Sequence, residues 1–319
     1  PSPLRRRRRL GSELRKLRET ANLTGEQVIE RVGWASASKL SRLENGRSKP
    51  DLKDILTLLD LYQVTGAVRD ELATITRDAG DMRAWLRQNP EVTRNQLDYF
   101  ELEAGSAEIR EYCPVIVPGL LQTPEYARVR IVSSAPLRSP APGRNGDEDP
   151  DAEVRARQAR QALLTQVADA PLYSAVIEES AFSGRAGPPE MLRRQLVHLR
   201  QMAELTNVTV QVVPSHASFE DWYLPHTAFS LYRFPDPQDP ETVAIEGMST
   251  NFMNTDPKEL NRYSVVFQWL QGVALTAEET LSWLDEAVER GSAAEAGPAV
   301  RSPKPPSQRR RPARRLTGT

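Results

Sequence analysis

Residues 10–64 carry hydrophobic side chains at helical spacing, in four separate groups. The groups are Leu10, Leu14 and Leu17; Val28 and Val32; Leu40 and Leu43; and Leu52, Ile55, Leu56 and Leu59. Asn22, Gly33 and Asn45-Gly46 stand between the groups, and residues of these types commonly end helices. The pattern therefore predicts four short helices joined by tight turns.

The starts of the later helices are also marked in the sequence. Thr24 and Gln27 have the spacing of a capping box, in which each side chain bonds the backbone amide of the other residue. Ser36 is suited to the N-cap of the third helix, and Pro50-Asp51 to the start of the fourth. With a fifth helix at about 67–79, we expect an all-α domain here.

The chain beyond residue 94 mixes helical and strand patterns. Helices are predicted at about 94–111, 124–132, 151–168, 189–205, 256–273 and 277–289, and strands at 173–178, 208–213, 228–234 and 242–246. The prolines of 114–126 are unsuited to a central strand and predict a buried loop. We expect a mixed α+β or α/β domain.

These patterns divide the chain into successive units. They are a basic N-terminal arm at 1–9, the all-α domain at 10–80, a linker at 81–93, the C-terminal domain at 94–290 with a mobile loop at 133–150, and a basic tail at 291–319. The loop and the tail are rich in small residues and proline, and such segments bury too little apolar surface to order themselves.

The net charge of −1 hides a strong segregation of charge along the chain. Residues 1–50 contain 13 Lys or Arg against 5 Glu, and residues 291–319 contain 7 Lys or Arg against 1 Glu. The segment 51–290 therefore carries a net charge of −15. A basic first segment indicates a polyanionic partner, and an acidic middle indicates a different task.

Several classes of protein are disfavoured by composition. No hydrophobic run approaches the roughly 18 residues of a membrane span, and the basic start lacks the apolar stretch of a secretion signal. Cys113 is the single cysteine, so neither an internal disulfide nor a cysteine-rich zinc site is expected. We expect a cytoplasmic, nucleoid-associated protein without a membrane anchor or a cofactor.

The segments Thr24–Gly33 and Ser36–Pro50 resemble the helix-turn-helix of the xenobiotic-response-element, or phage repressor-like, regulators. The block Ser41-Arg-Leu-Glu-Asn-Gly-Arg47 is the most specific part of the resemblance. In such motifs the second helix enters the major groove of double-stranded DNA. The resemblance implies DNA contacts from Thr24, Gln27, Ser36, Ala37, Ser38, Lys39, Ser41, Arg42, Arg47 and Lys49.

Roles within this motif follow from side-chain chemistry. Arg42 can pair with guanine O6 and N7, and Thr24 with its neighbouring helix amides suits a phosphate. Glu44 is expected to make a structural contact, because DNA repels a carboxylate. Gly25 and Ala37-Ser38 depart from the family pattern, where longer amides often stand, so we expect DNA shape to contribute to specificity.

The basic run Arg5–Arg9 has two interpretations, which also apply to the tail with Arg309–Arg311. Each is either a flexible arm on DNA or a solvated, disordered end. Repressor-like proteins bind paired half-sites as dimers, so a homodimer is expected. The apolar face of 256–273 either packs in the core or forms the dimer seam.

The stretch from about Tyr99 to Glu289 resembles the C-terminal domain of WhiJ-like actinobacterial regulators, a group also described as antitoxin-like. The segments on which the resemblance rests are Glu103-Ala104, Ile109-Arg110, Val117–Ala127, Val176–Glu179, Met191–Leu196, Asn207–Pro214 and Phe229–Phe234. The resemblance implies a small protein partner encoded nearby. Candidate partner or ligand residues are Pro118, Gly119, Leu120, Leu121, Gln122 and Thr123, and the aromatic loop residues Phe219, Trp222 and Tyr223.

An enzymatic role finds little support in the sequence. His216 and His226 flank Glu220-Asp221 without a recognised metal-ligand spacing, and no phosphate loop or nucleophile motif is present. We expect no catalytic residue and no metal. The sequence predicts a DNA-binding transcriptional regulator, and the alternative is an antitoxin-like protein that mainly sequesters a partner and uses DNA binding for autoregulation.

Overall fold

The structure is a computed structural model. It describes residues 3–46, 48–79, 96–134, 149–165, 170–183, 187–218, 225–247 and 251–294. The predicted linker at 81–93, most of the loop at 133–150 and most of the tail lie outside the described residues.

The N-terminal region is helical, as predicted. Its helices are α1 (Pro3–Thr20), α2 (Gly25–Val32), α3 (Ala37–Glu44), α4 (Leu52–Leu61) and α5 (Gly66–Asp78). Most of the residues that carry the helical pattern lie in its core, which contains Leu10, Leu14, Val28, Leu40, Leu43, Ile55, Leu58 and Leu59. On α4, Leu58 is buried, and the predicted Leu52 and Leu56 are half-buried. The hydrophobic periodicity therefore located this domain because each helix has one buried face.

The predicted helix ends are confirmed in atomic detail. Thr24 Oγ1 accepts from the Gln27 amide at 3.2 Å, and Gln27 Oε1 accepts from the Thr24 amide at 2.9 Å. Gly33 adopts a left-handed φ of 69°, a conformation that favours glycine. Ser36 Oγ caps α3, and Asp51 Oδ1 caps α4.

The C-terminal region mixes helices with one sheet. Its elements are α6 (Leu97–Gly105), β1 (Glu108–Cys113), α7 (Pro124–Ser134), α8 (Pro150–Thr165), β2 (Leu172–Glu178), α9 (Pro189–Met202), β3 (Val208–Val213), β4 (Phe229–Arg233), β5 (Thr242–Ile245), β6 (Phe252–Asn254), α10 (Pro257–Val273) and α11 (Ala277–Ala294). Short 3-10 turns lie at Gly119–Leu121, after β1, and at Glu179–Phe182, after β2. The predicted mixture of helices and strands is confirmed.

The sheet has the strand order β3-β2-β1-β4-β5-β6 in the described residues. The β1–β2 and β2–β3 pairs are parallel, and the pairs from β4 onward are antiparallel. One face packs against α6, α8, α9 and α11, around residues such as Ile109 and Tyr173. The other face packs against α10, around Tyr112, Phe229 and Phe267.

The apolar face of α10 belongs to the core. Phe267 and Leu270 are buried, and Leu260, Tyr263 and Val266 pack partly buried against the same cluster. Of the two interpretations offered by the sequence, packing on the sheet is the observed one. Any dimer seam therefore has to use another surface.

Strand β1 corrects the predicted helix at 94–111, which stops at Gly105. The strand reads Glu-Ile-Arg-Glu-Tyr-Cys, and its charges resemble those of a helix face. The fold pairs them across strands instead: Glu108 accepts from Arg233 at 2.8 Å, and Glu111 accepts from the Tyr173 hydroxyl at 2.7 Å. The three-residue strand β6 was also not predicted from sequence.

Candidate nucleic-acid interface

Helices α2 and α3 form a helix-turn-helix whose inner faces are apolar. Val28 of α2 and Leu40 and Leu43 of α3 are buried in the same cluster. The turn between the helices begins at Gly33, and the Trp34 amide bonds the Ile29 carbonyl at 3.1 Å. The turn sets the angle between α2 and α3 and places the start of α3 on the surface.

The exposed face of α3 is short, polar and positively charged. Ser36, Ala37, Ser38, Ser41 and Arg42 are all exposed. The Ser36 and Ser38 hydroxyls lie 2.8 Å apart, and Arg42 donates to Ser38 Oγ at 3.3 Å. Arg42 forms no ion pair with any described residue, so its guanidinium keeps donors for an external acceptor. This is the face that the sequence predicted for the major groove.

Lys39 is held on the flank of this face. Its Nζ lies 2.7 Å from Asp54 Oδ2 and 4.2 Å from the centre of the Trp34 ring. Lys39 follows Ser38 by about 100° around the helix, which turns it toward α4. The predicted role of Lys39 in DNA contact would require it to leave Asp54.

The remaining predicted DNA contacts surround α3. Thr24 and Gln27 are exposed at the start of α2, where the first-turn amides lack intrahelical partners. Lys49 is exposed in the segment after α3, and Arg47 lies outside the described residues.

A buried carboxylate anchors the end of α3 to α1. Glu44 accepts from Arg18 Nε at 2.7 Å and from Arg18 Nη2 at 3.1 Å, a two-pronged pairing. The side chains are only 8% and 16% exposed, respectively. The hydrogen bond to Glu44 raises the pKa of Arg18 above its ordinary value. The expected structural role of Glu44 agrees with this contact.

Arg15 adds a second link between α1 and the end of α3. Its Nη2 donates to Asn45 Oδ1 at 2.9 Å, and its Nε lies 3.6 Å from Glu44 Oε2. The Asn45 amide in turn donates to the Ser41 carbonyl at 2.7 Å. Sequence reasoning placed Arg15 and Arg18 only in the basic charge count, because their partner is 26 or more residues away.

Gly11 permits α1 to approach α3 closely. A Cβ atom at Gly11 would lie 2.5 Å from the Leu43 carbonyl oxygen and 2.6 Å from that of Glu44. Backbone atoms cannot yield as a flexible side chain can. A glycine inside a leucine-patterned helix was the available sequence signal for this contact.

The basic run Arg5–Arg9 forms the first turns of α1, which corrects the predicted N-terminal arm at 1–9. Arg6 pairs with Asp78 at 2.7 Å, and Arg7 donates to the Ala79 carbonyl at 2.9 Å. Arg9 pairs with Glu71 at 2.5 Å and with Asp236 at 3.3 Å. Arginine is a good helix former, and these carboxylates offset the repulsion within the run.

These contacts join the helix-turn-helix to the C-terminal domain. Asp236 lies between β4 and β5, and Arg8 also donates to the Met253 sulfur on β6 at 3.1 Å. Arg8 and Arg9, which lie in the predicted DNA-binding arm, thus contact the C-terminal domain. Local charge counting could not show this, because Arg9 and Asp236 are 227 positions apart.

The predicted partner loop is largely internal. Pro118, Leu120, Leu121 and Gln122 are buried, and Gly119 and Thr123 are half-buried. Gln195 of α9 donates to the Leu121 carbonyl at 2.6 Å and accepts from the Thr123 amide at 2.8 Å. The loop is a packing element between α8 and α9, as expected for the predicted buried loop, and its role in binding a partner stays a prediction. Phe219, Trp222 and Tyr223 lie outside the described residues.

A charged network lies beneath this loop. Arg160 of α8 pairs with both carboxylate oxygens of Glu103, at 2.7 and 2.5 Å, and donates to Gln96 at 3.0 Å. Arg157 donates to Gln122 at 2.8 Å, and desolvation lowers the pKa of Arg157 to about 10. Arg160 points into the core, whereas Arg155 on the same helix is exposed.

Glu111 extends the network onto the sheet. Besides the Tyr173 hydroxyl, its carboxylate faces the Cys113 sulfur at 3.6 Å. Desolvation raises the pKa of Glu111 from its ordinary 4.5 to about 7, against the opposing effect of the Tyr173 hydrogen bond. Cys113 is buried, and desolvation raises the pKa of its thiol well above the ordinary value. A buried thiol in this state is a poor nucleophile.

The two loop histidines are both exposed. His216 follows β3 and His226 precedes β4, while Glu220 and Asp221 between them lie outside the described residues. Among the residues that the structure describes, no three His, Cys, Asp or Glu side chains are grouped as a metal ion would need. No described helix is both long enough and apolar enough to span a membrane.

The N-terminal region defines a helix-turn-helix protein, of the kind used by DNA-binding regulators. Residues 9–72 match a family described as a helix-turn-helix domain. Residues 96–286 match the family described as Domain of unknown function (DUF5753). The second match covers more than half of the chain, so the protein belongs to that family. Among curated proteins and among solved structures, none matches this chain.

Proposed function

We propose that the protein is a sequence-specific transcriptional regulator that reads double-stranded DNA with α3. The observation that carries the proposal is the exposed Ser38–Arg42 face, fixed from behind by the Glu44 pairing with Arg18. An exposed arginine beside small side chains on a surface helix suits the major groove, which admits an α-helix. The resemblance to xenobiotic-response-element regulators supports the same assignment.

The C-terminal domain is proposed to receive a signal. Its contacts with α1 through Asp236 and Met253 give a bound partner or ligand a route to the DNA-reading region. The resemblance to WhiJ-like, antitoxin-like regulators suggests a small protein encoded nearby as that partner. We assign the protein no catalytic reaction and place it in the cytoplasm, where chromosomal DNA is accessible.

A homodimer is part of this proposal. Helix-turn-helix domains of the repressor type bind two half-sites about one helical turn apart, and a symmetric dimer matches such a site. One copy of α3 offers few base-reading side chains, so a second copy would supply the affinity and length that specificity needs.

The proposal is tested by selection from a random DNA duplex library. The chain is compared with Arg42→Ala and with Arg77→Ala, which removes an exposed arginine of α5 away from α3. We expect the natural chain and Arg77→Ala to enrich one paired motif, and Arg42→Ala to lose it. Unselective retention by all three would contradict the proposal and favour a partner-sequestering, antitoxin-like protein.

A further inference from the structure

A cleft of about 390 Å³ opens between the helix-turn-helix and the C-terminal domain. Arg15 and Asn45 line one side, and Phe252, Lys258 and Arg262 line the other. The volume lies within the range of small-molecule sites, roughly 300–1,000 Å³. Arg15, which links α1 to the end of α3, lines this cleft, so a ligand bound there would contact the DNA-reading region.

The lining of this cleft is positive in balance, with the three cations Arg15, Lys258 and Arg262 against the two acids Asp256 and Glu259. Asp256 caps α10 by accepting from the Lys258 amide at 2.8 Å, and Glu259 accepts from Arg262 at 2.7 Å. Lys258 is exposed and forms no ion pair within the described parts of the chain. Its ammonium is therefore the group most available to an incoming anion.

One wall of the cleft is apolar. The side chain of Phe252 on β6 is large and the residue is 49% exposed, beside Met253. An exposed aromatic ring and an ammonium in the same cleft suit a ligand with an apolar body and a negative group, because each part of the ligand then contacts a matching side chain.

We propose that this cleft binds a small organic anion with an apolar body, and that the anion weakens DNA binding through Arg15. The second half rests on the proposed function. Arg15 borders the cleft while it bonds Asn45 and faces Glu44, so an anion competes for the same guanidinium. Loss of the Arg15 bond would free Asn45 and loosen the last turn of α3.

The binding half is tested with 8-anilinonaphthalene-1-sulfonate, an aromatic anion that fluoresces when bound. Its uncharged analogue N-phenyl-1-naphthylamine has the same aromatic body without the sulfonate. Lys258→Gln removes the ammonium, and Lys16→Gln is the matched control, an exposed lysine of α1 whose one ion pair among the described residues is with Glu13. Both substitutions are at exposed positions, so folding should be preserved.

We expect saturable binding of the anion by the full chain, weakened about tenfold by Lys258→Gln and unchanged by Lys16→Gln. The uncharged analogue should bind the full chain and Lys258→Gln equally. Absence of saturable binding up to roughly 1 mM, or equal binding of the anion by Lys258→Gln, would overturn the cleft assignment. None of these readings requires DNA.

The coupling half is tested by the affinity for a selected DNA duplex with and without the same probe. We expect the probe to weaken DNA binding several-fold in the full chain and not in Lys258→Gln. An unchanged affinity, or an equal loss in both chains, would overturn the coupling while the binding result stands. Failure to select any DNA motif would instead overturn the proposed function, and the fluorescence titration would still decide the site.

Discussion

The pairing of Glu44 with Arg18 makes the most specific prediction about the DNA-reading region. Glu44→Gln keeps the size and shape of the side chain and removes its charge. Arg18 then keeps the Leu23 carbonyl at 3.1 Å, the exposed Glu19 carboxylate at 3.6 Å and the amide oxygen of the new side chain, and loses its two-pronged carboxylate partner. Arg15 loses the same carboxylate at 3.6 Å.

The size of the effect follows from how far the pair is buried. Removal of one member of a fully buried ion pair costs about 3–5 kcal/mol, because the other charge is left without a partner. Arg18 is 16% exposed and keeps some contact with water, so we expect a loss of about 2–3 kcal/mol for the helical domain. Urea unfolding gives the total change, and hydrogen exchange of the α3 amides shows whether it is local.

The matched control is Glu19→Gln, which removes a carboxylate 3.6 Å from the same arginine. Glu19 is 62% exposed, and a surface pair of this kind contributes below about 1 kcal/mol. Equal effects of the two substitutions would refute the reasoning. So would unchanged exchange of the α3 amides in Glu44→Gln, because the anchoring of α3 would then not depend on the pair.

Three further predictions concern packing, capping and titration. Gly11→Ala should destabilise the helical domain by more than about 2 kcal/mol in a thermal melt, because its Cβ would meet the Leu43 carbonyl oxygen at 2.5 Å. The control Gly25→Ala, whose Cβ would lie 3.8 Å from its nearest neighbour, should be neutral or slightly stabilising in the same measurement. Thr24→Ala removes the capping box and should cost about 1 kcal/mol, measured by urea unfolding, with Thr24→Ser retaining most of the stability. Glu111 binds its proton more tightly in the folded state, so the free energy of unfolding should fall as the pH rises from about 5 to 8. Glu111→Gln should remove about 3 kcal/mol of that fall. Parallel pH profiles of stability for the two chains would contradict the raised pKa of Glu111.

The helix-turn-helix was largely predictable because its determinants are local. The Thr24–Gln27 capping box, the left-handed Gly33 and the Ser36 cap each depend on residues within four positions of one another. The hydrophobic periodicity then placed the inward faces of α1, α2 and α3, whereas on α4 it pointed to Leu52 and Leu56 and missed the buried Leu58. The exposure of Ser38 and Arg42 followed from the same periodicity, since they lie opposite the buried leucines.

The elements that escaped prediction depend on partners far along the chain. Strand β1 carries three charges in six residues, and only its pairing with β2 and β4 shows why a strand tolerates them. The arginine run of α1 offered the same composition as a DNA-binding arm, and its partner Asp236 is 227 positions away. Local pattern cannot choose between such partners.

The affinity of the protein for DNA measures the role of α3 in base recognition most directly. The dissociation constants of the natural chain, Arg42→Ala and Arg77→Ala are measured at one fixed salt concentration, on the selected duplex and on a scrambled duplex. We expect Arg42→Ala to lose about 1–3 kcal/mol on the selected duplex and little on the scrambled one, and Arg77→Ala to be unchanged on both. Equal affinity of the natural chain for the two duplexes, or full affinity of Arg42→Ala for the selected one, would contradict this role of α3.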